Sequence, residues 1–210
     1  MRELYARSKK RRIRKKRMDK IVTISRQYAS GGRTIGKLVA QELGIPVYDS
    51  KIIKDTMKRT GLSEQVVEDA EQRSVNAFLF NLAMGVDDAL NHMKLIAEVE
   101  RDIIEGYVQE GPCVIVGRAA NFLLGGDRKS LNVFVYSDTE SRVAYAHENY
   151  DVTERQAWKM IERTDKERQM HAMSFYGKKW GDRDYYDLML NSGRLGIEQC
   201  VDLIIAAAGK

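Results

Sequence analysis

Short apolar runs alternate along this chain with longer stretches in which apolar residues recur at helical spacing. Residues 21–24 form the first apolar run and predict a buried strand. From Ile35 to Leu43 the apolar positions recur every three or four residues, which predicts a helix, and Gly44 and Pro46 follow as a stop signal. The chain therefore begins its regular structure with a strand, a turn and an amphipathic helix.

The same alternation continues to the C-terminus and predicts an α/β protein. Further strands are predicted at residues 47–48, 113–116, 131–136 and 186–190, and further helices at residues 50–60, at residues 63–110 with interruptions, after the capping boxes at residues 137–140 and 153–156, and at residues 197–207. Strands that alternate with helices predict a parallel sheet with helices on both faces, a three-layer α/β/α arrangement.

A Gly-rich turn, Ser30-Gly31-Gly32, joins the first strand to its helix. Successive N–H groups at a helix start, together with the positive end of the helix dipole, bind phosphate oxygens. The regular phosphate-binding motif G-x-x-x-x-G-K-[ST] ends in a Lys and a hydroxyl. Here Gly32 stands where the Lys would be, Arg33 follows it, and Thr34 is the available hydroxyl. The loop alone leaves a phosphate site and an ordinary tight turn both open.

Polar residues also follow two other predicted strands directly. Asp49 and Ser50 come after the second strand, and Gly117-Arg118 comes after the strand at residues 113–116. Ligands of parallel sheets gather at the carboxyl ends of the strands, so these residues and the Gly-rich loop are expected to share one crevice. A surface turn with a solvated arginine is the alternative interpretation of residues 117–118, and we consider it the weaker one.

The composition fits one compact domain over residues 20–210. Hydrophobic residues make up 43% of the 210 residues, which is enough for a substantial core. Cys113 and Cys200 lie in apolar stretches without a partner motif and are expected to be reduced core residues. No apolar run reaches the length that spans a bilayer and no signal-peptide segment is evident, so a cytoplasmic protein without membrane association is expected.

The N-terminal 20 residues form a strongly basic block. They hold eleven Lys or Arg against two acidic residues, a charge of +9, whereas the rest of the chain carries −4. Such a block is normally solvated, and we expect residues 1–19 to be a disordered tail. We expect no binding of nucleic acid except through this tail, because the acidic body offers no matching patch. Met18 directly precedes the first strand, and we expect the tail to be dispensable for folding.

Four blocks of the sequence resemble the cytidylate kinase-like family. They are ISRQYASGGRTIGKLVAQELGIPVYD, VIVGRAAN, IERTDKERQ and YYDLMLNSGRLGIEQCVDLI, in this order. The resemblance covers nearly everything from Lys20 to the C-terminus. It implies a P-loop NTPase fold of the nucleoside monophosphate kinase type, with ATP and Mg²⁺ as cofactors at the Gly-rich loop. It also implies a nucleoside monophosphate acceptor under a helical lid at about residues 150–182.

The loop chemistry and the resemblance together imply roles for individual residues. The candidates are Ser30, Gly31, Gly32, Arg33 and Thr34 for the ATP phosphates, with Thr34 also for Mg²⁺; Asp49, Ser50, Arg118 and Asp165 for the acceptor nucleotide; and Arg33, Arg163, Lys166 and Arg168 as catalytic cations. Cations on a closing lid stabilise the charge that spreads over a phosphoryl group during transfer. Sequence spacing alone favours a solvated helix face with ion pairs at residues 161–168.

Two functions follow as hypotheses. The first is an enzyme that transfers a phosphoryl group from ATP to a nucleoside monophosphate, with CMP or dCMP as the expected acceptor. The second is a nucleotide-binding regulatory domain that kept the fold without efficient transfer. The absent loop lysine favours the second hypothesis, and Ala119 stands where cytidylate kinases carry Asp. Under the first hypothesis we expect Arg33 to reach back across one residue and to compensate part of the missing charge.

Overall fold

The computed structural model describes residues 20–63, 87–125 and 130–209. Its strands are β1 (Ile21–Arg26), β2 (Val47–Tyr48), β3 (Val114–Val116), β4 (Ser130–Tyr136) and β5 (Leu188–Asn191). They form a single five-stranded sheet in the order β2-β3-β1-β4-β5, and every neighbouring pair is parallel. The predicted parallel α/β sheet is confirmed, with β1 at its centre.

Helices cover both faces of this sheet. They are α1 (Gly32–Leu43), α2 (Ser50–Thr60), α3 (Asp87–Glu110), α4 (Ala120–Leu123), α5 (Thr139–Asn149), α6 (Glu154–Tyr176), α7 (Ser192–Leu195) and α8 (Ile197–Ala208), with a 3-10 turn at Arg183–Tyr185. The basic tail and the apolar positions predicted between residues 64 and 86 lie outside the described residues. Among the described helices, none has both the length and the apolar character needed to cross a bilayer.

The apolar faces of the sheet form two separate cores. One face packs against α1 and α8 through a cluster that includes Ile24, Ile35 and Ile204. The other face packs against α2 and α3 through a cluster that includes Ile52 and Ile104. Burial on both faces explains why β3 is a continuous apolar run without alternation. The result is the expected three-layer arrangement.

The helix that carries the predicted lid residues, α6, begins at a complete capping box. The Thr153 side chain accepts the Gln156 backbone N–H, and the Gln156 side chain accepts the Thr153 backbone N–H at 2.8 Å. This confirms the capping box at residues 153–156. The box predicted at residues 137–140 is shifted by one residue, because Asp138 is the N-cap and accepts from the backbone of Ser141.

Substitution of Thr153 by Ala is expected to lower the free energy of unfolding by about 1 kcal/mol, because the Gln156 backbone N–H loses its acceptor. Thr139→Ala is the matched control, since Thr139 opens α5 but the cap there is Asp138. Chemical denaturation of both variants measures the difference. Equal stabilities of the two variants would contradict the assignment of the cap.

Candidate active site

A cavity of about 340 Å³ opens at the carboxyl end of the sheet, next to the Gly-rich loop. Its floor is the continuous segment from Arg26 to Arg33, which joins β1 to α1. Asp49 and Arg118, which follow β2 and β3, form one wall, and residues of α6 form the opposite wall. The predicted crevice shared by the loop and the strand ends is therefore present.

The loop has the tight geometry that a phosphate cradle requires. Gly31 is the N-cap residue of α1 and has a φ of +73°. The N–H groups of the first turn of α1 have no acceptor within the helix. A Cβ at Gly31 would also overlap the Ile197 side chain. The Ser192 hydroxyl donates to the Ser30 carbonyl at 2.7 Å and ties the loop to the start of α7. This hydrogen bond therefore fixes the loop, whose residues 30–33 line the cavity.

Arg33 lines the cavity but forms an ion pair with Asp49. The Nε to Oδ2 distance is 2.5 Å, and 56% of the Arg33 side chain remains exposed. The Asp49 carboxylate makes no helix-cap hydrogen bond for α2, although Asp49 is the N-cap residue. The guanidinium of Arg33 therefore points across the cavity mouth to Asp49, and the structure does not show it reaching back to the position of the missing lysine.

Arg118 is buried at the end of β3 and held by a carboxylate. Its Nη1 donates to Glu100 Oε1 of α3 at 2.7 Å. Gly117, Arg118 and Ala119 have φ values of +81°, +56° and +49°, three consecutive left-handed residues. This conformation costs on the order of 1 kcal/mol for each residue that is not glycine. A strained turn and a buried partner therefore fix one guanidinium at the wall of the cavity.

The lid helix α6 presents two of its three predicted cations to the cavity. Arg163 and Arg168 line the cavity together with Met160 and Thr164, whereas Lys166 is exposed and lines a neighbouring depression that shares Met160 and Arg163 with the cavity. At 100° per residue, positions 160, 164 and 168 form one face with Arg163 at its edge, and position 166 falls on the other side. Arg168 Nη1 donates to the Arg26 carbonyl at 2.8 Å and joins the lid helix to the loop.

Asp165 lies beneath the cavity floor. Its carboxylate pairs with Arg142 of α5 at 2.5 Å and accepts the Tyr28 backbone N–H at 2.7 Å. Arg168 Nη1 also lies 3.8 Å from this carboxylate. In this conformation Asp165 anchors the lid helix to the loop, and it is not among the residues that line the cavity.

Two further predicted site residues also lie outside the cavity wall. Ser50 is exposed at the first residue of α2. The Thr34 hydroxyl forms a hydrogen bond with the Tyr145 hydroxyl at 2.9 Å. A hydroxyl that donates its proton to Tyr145 keeps its lone pairs for a metal ion, so the predicted role at Mg²⁺ is compatible with this hydrogen bond.

Arg26 and Tyr150 are among the cavity residues that sequence reasoning missed. Arg26 ends β1 and lines the floor, and Tyr150 follows α5 and lines the side. The Tyr150 ring contacts Tyr28 and Tyr145, with ring centroids 5.6 and 5.8 Å away. Burial raises the pKa of Tyr150 above its ordinary value, so it remains a neutral hydroxyl at physiological pH. The available signal for Arg26 was its place at the first position of the phosphate-loop motif.

The residues around the cavity fit a polyphosphate. The side chains of Arg26, Arg33, Arg118, Arg163 and Arg168 all line it, against one lining carboxylate, Asp49. Guanidinium groups bind phosphate oxygens through paired N–H donors. Groups of three or more His, Cys, Asp or Glu side chains suited to a metal ion are absent from the described part of the chain.

The sheet order, the strand-loop-helix unit at residues 21–43 and the arginine-lined cavity define a protein of the P-loop kinase class. Within that class, the chain belongs to the cytidylate kinase-like family, whose sequence profile matches residues 21–194. The match covers the loop, the β3 turn and the lid helix together.

Individual relatives are distant. A protein of Archaeoglobus fulgidus named cytidylate kinase is 26% identical over 192 residues, which is 89% of this chain and 93% of the relative. A solved but uncharacterized protein from Eubacterium ventriosum has a TM-score of 0.68 at 23% identity and covers 90% of this chain and 98% of its own. Shikimate kinase from Bacteroides thetaiotaomicron has a TM-score of 0.50 at 14% identity, over 90% of this chain and 97% of its own. At these identities the solved structures support the fold alone.

Proposed function

We propose that this protein transfers the γ-phosphoryl group of ATP to a nucleoside monophosphate, with CMP or dCMP as the preferred acceptor. The observation that supports this most strongly is the convergence of five arginines on one cavity beside a Gly-rich loop. Membership of the cytidylate kinase-like family supports the choice of reaction, and the name of the Archaeoglobus relative supports the choice of base.

The reaction needs charge stabilisation more than it needs an acid or a base. An oxygen of the acceptor phosphate attacks the γ-phosphorus, the bond to the β,γ-bridging oxygen breaks, and ADP leaves with that electron pair. Charge spreads over the oxygens of the moving group, so positioned cations lower the barrier. Loop N–H groups at residues 31–34 hold the donor phosphates, and Arg163 and Arg168 approach from the lid helix.

The acceptor is proposed to bind at the wall formed by the β2 and β3 ends. Arg118, fixed by Glu100, would bind its phosphate, and Asp49 with the adjacent Ser50 would contact the nucleoside. Asp165 and Lys166 were predicted to contact the acceptor sugar and the moving phosphate. Both would need a movement of α6, because Asp165 is paired with Arg142 and Lys166 faces outward.

Magnesium would reach the site together with ATP. Mg²⁺ is commonly held by substrate phosphates and water with few protein ligands, and it neutralises charge on the β- and γ-phosphates. Thr34 remains the proposed protein hydroxyl for this ion, and it would donate its proton to Tyr145 while an oxygen lone pair binds Mg²⁺.

A coupled assay of ADP release tests the proposal. Purified protein with MgATP and each common nucleoside monophosphate is expected to release ADP fastest with CMP or dCMP, and the release is expected to need the acceptor. Release with another monophosphate alone would correct the acceptor base. No release with any acceptor would contradict the proposed transfer.

A nucleotide-binding regulatory domain is the second candidate. Gly32 at the lysine position favours it, because a regular loop lysine is absent from this site. Calorimetry that shows MgATP binding, combined with no product in the assay above, would identify this function.

A further inference from the structure

The loop differs from the regular phosphate-binding motif at its first Gly, its Lys and its Ser/Thr, and the first two of these differences are reciprocal. The motif G-x-x-x-x-G-K begins with Gly and ends with Lys. In this chain the corresponding segment runs from Arg26 to Gly32, so it begins with a cation and ends with Gly. Relative to the motif, the basic residue and the glycine have exchanged positions, with Arg26 at the first position and Gly32 at the last.

The structure shows that these two positions compete for the same space. A Cβ built on Gly32 would lie 2.5 Å from Cβ and 3.0 Å from Cγ of Arg26. Such distances are far inside van der Waals contact, so no side chain fits at Gly32 while Arg26 keeps this conformation. Arg26 therefore occupies the volume into which a lysine at position 32 would begin to extend.

The far end of Arg26 reaches the turn after β3. A Cβ built on Gly117 would lie 2.8 Å from Arg26 Cζ, and Gly117 has a φ of +81°, which favours glycine. The parallel pairing of β1 with β3 brings these segments together, since Ile24 and Val116 are register partners. The Arg26 side chain thus extends from the Gly-rich loop to the turn that carries Arg118, and both arginines line the cavity.

Arg26 also differs from the other cavity arginines in its partners. Arg33, Arg118, Arg163 and Arg168 each lie within 4.0 Å of a carboxylate, those of Asp49, Glu100, Glu167 and Asp165. Within the residues that the structure describes, the Arg26 guanidinium has no carboxylate partner. A half-buried cation beside other cations is suited to an anionic ligand.

We propose that Arg26 is the phosphate-binding cation that replaces the loop lysine. Positions 32 and 117 are glycines because a side chain at either position would overlap Arg26. The inference rests on the proposed function, since it assigns Arg26 to the phosphates of the nucleotides in that reaction. Arg26 binds the γ-phosphoryl oxygens, where the lysine of the regular motif reaches from the other end of the loop.

A pair of substitutions separates charge from packing. Arg26→Gln keeps the aliphatic stem beside Gly32 and removes the charge, whereas Arg26→Lys keeps the charge. Arg26→Gln is expected to lower kcat/KM about 100-fold and Arg26→Lys less than about tenfold, as for other preorganised charge stabilisers. Thermal unfolding should show similar stability for the two variants. Equal activity of Gln and Lys variants, or Gln activity within about threefold of the unaltered protein, would overturn the proposal.

The exchange itself is tested by reversing it. Gly32→Lys alone introduces a side chain that meets Arg26 and is expected to lower activity, whereas Arg26→Gly combined with Gly32→Lys restores the first Gly and the Lys of the regular motif. The double variant is expected to exceed Arg26→Gln at least about tenfold in kcat/KM. A folded double variant that is no more active than Arg26→Gln would contradict the exchange.

Calorimetry with MgATP keeps the inference testable if the unaltered protein transfers phosphate to no acceptor. In that case the proposed transfer fails, yet Arg26→Gln is still expected to bind MgATP about tenfold more weakly than the unaltered protein and Arg26→Lys, because a charge-assisted contact is lost. Equal affinities of all three proteins would overturn the role of Arg26 independently of catalysis.

Discussion

Arg163→Ala is expected to lower kcat at least about 100-fold while leaving the melting temperature unchanged. Arg163 lies at the edge of the cavity, its side chain is 64% exposed, and its ion-pair distance to Glu167 is 3.6 Å, so it contributes little to the folded state. In the proposed reaction it binds the phosphoryl group when the lid helix closes. An exposed cation with a large effect on turnover and none on stability is the signature of a residue that acts on the transition state.

Arg155→Ala is the matched control for this variant. Arg155 belongs to the same helix, is exposed, and lies outside the cavity wall. Steady-state kinetics of both variants with the acceptor that the assay identifies, beside thermal unfolding, measure the contrast. If Arg163→Ala and Arg155→Ala retain equal turnover, the lid helix does not supply a catalytic cation from this position.

Asp165→Ala is expected to lower the free energy of unfolding by about 3 kcal/mol, because removal of one partner leaves the buried Arg142 charge uncompensated. The Tyr28 backbone N–H loses its acceptor at the same time, and the hydrophobic contact of α5 and α6 around Ile161 is loosened. Denaturant titration measures this loss. A lower affinity for nucleotide is also expected, since the loop residue Tyr28 loses its hydrogen bond to Asp165.

Two further variants test the cause of this destabilisation. Glu162→Ala removes an exposed carboxylate from the same helix and is expected to change the stability by less than about 0.5 kcal/mol. Arg142→Met combined with Asp165→Leu replaces the buried pair by apolar side chains and is expected to recover most of the lost stability. A double variant as unstable as Asp165→Ala would show that the ion pair is not the source of the effect.

The fold follows from local patterns that the sequence displays directly. The apolar runs at β1, β3 and β4 and the helical spacing in α1 and α8 are properties of neighbouring residues, and both faces of the sheet bury them. Capping at Thr153 is likewise local, and it was predicted correctly. The cap of α5 lies one residue later than predicted, because Ser137 is buried and the exposed Asp138 side chain accepts the hydrogen bond at the helix start.

Parts of the site depend on contacts that no local pattern encodes. Asp165 and Arg142 are 23 positions apart, and their pairing depends on how α5 packs against α6. Lys166 faces away because the helix orientation is set by buried residues such as Ala157 and Ile161. Arg26 was missed because the missing lysine was sought on the C-terminal side of the glycines, whereas the compensating cation precedes them. Only the strand register places it beside Gly117.

A crystal structure with Mg²⁺ and a non-hydrolysable ATP analogue tests the central claim most directly. We expect the triphosphate to lie in the cavity against the backbone amides of residues 31–34, with Arg26 and Arg163 within hydrogen-bonding distance of its γ-phosphate. A triphosphate bound away from this loop, or a γ-phosphate that touches neither arginine, would contradict the account.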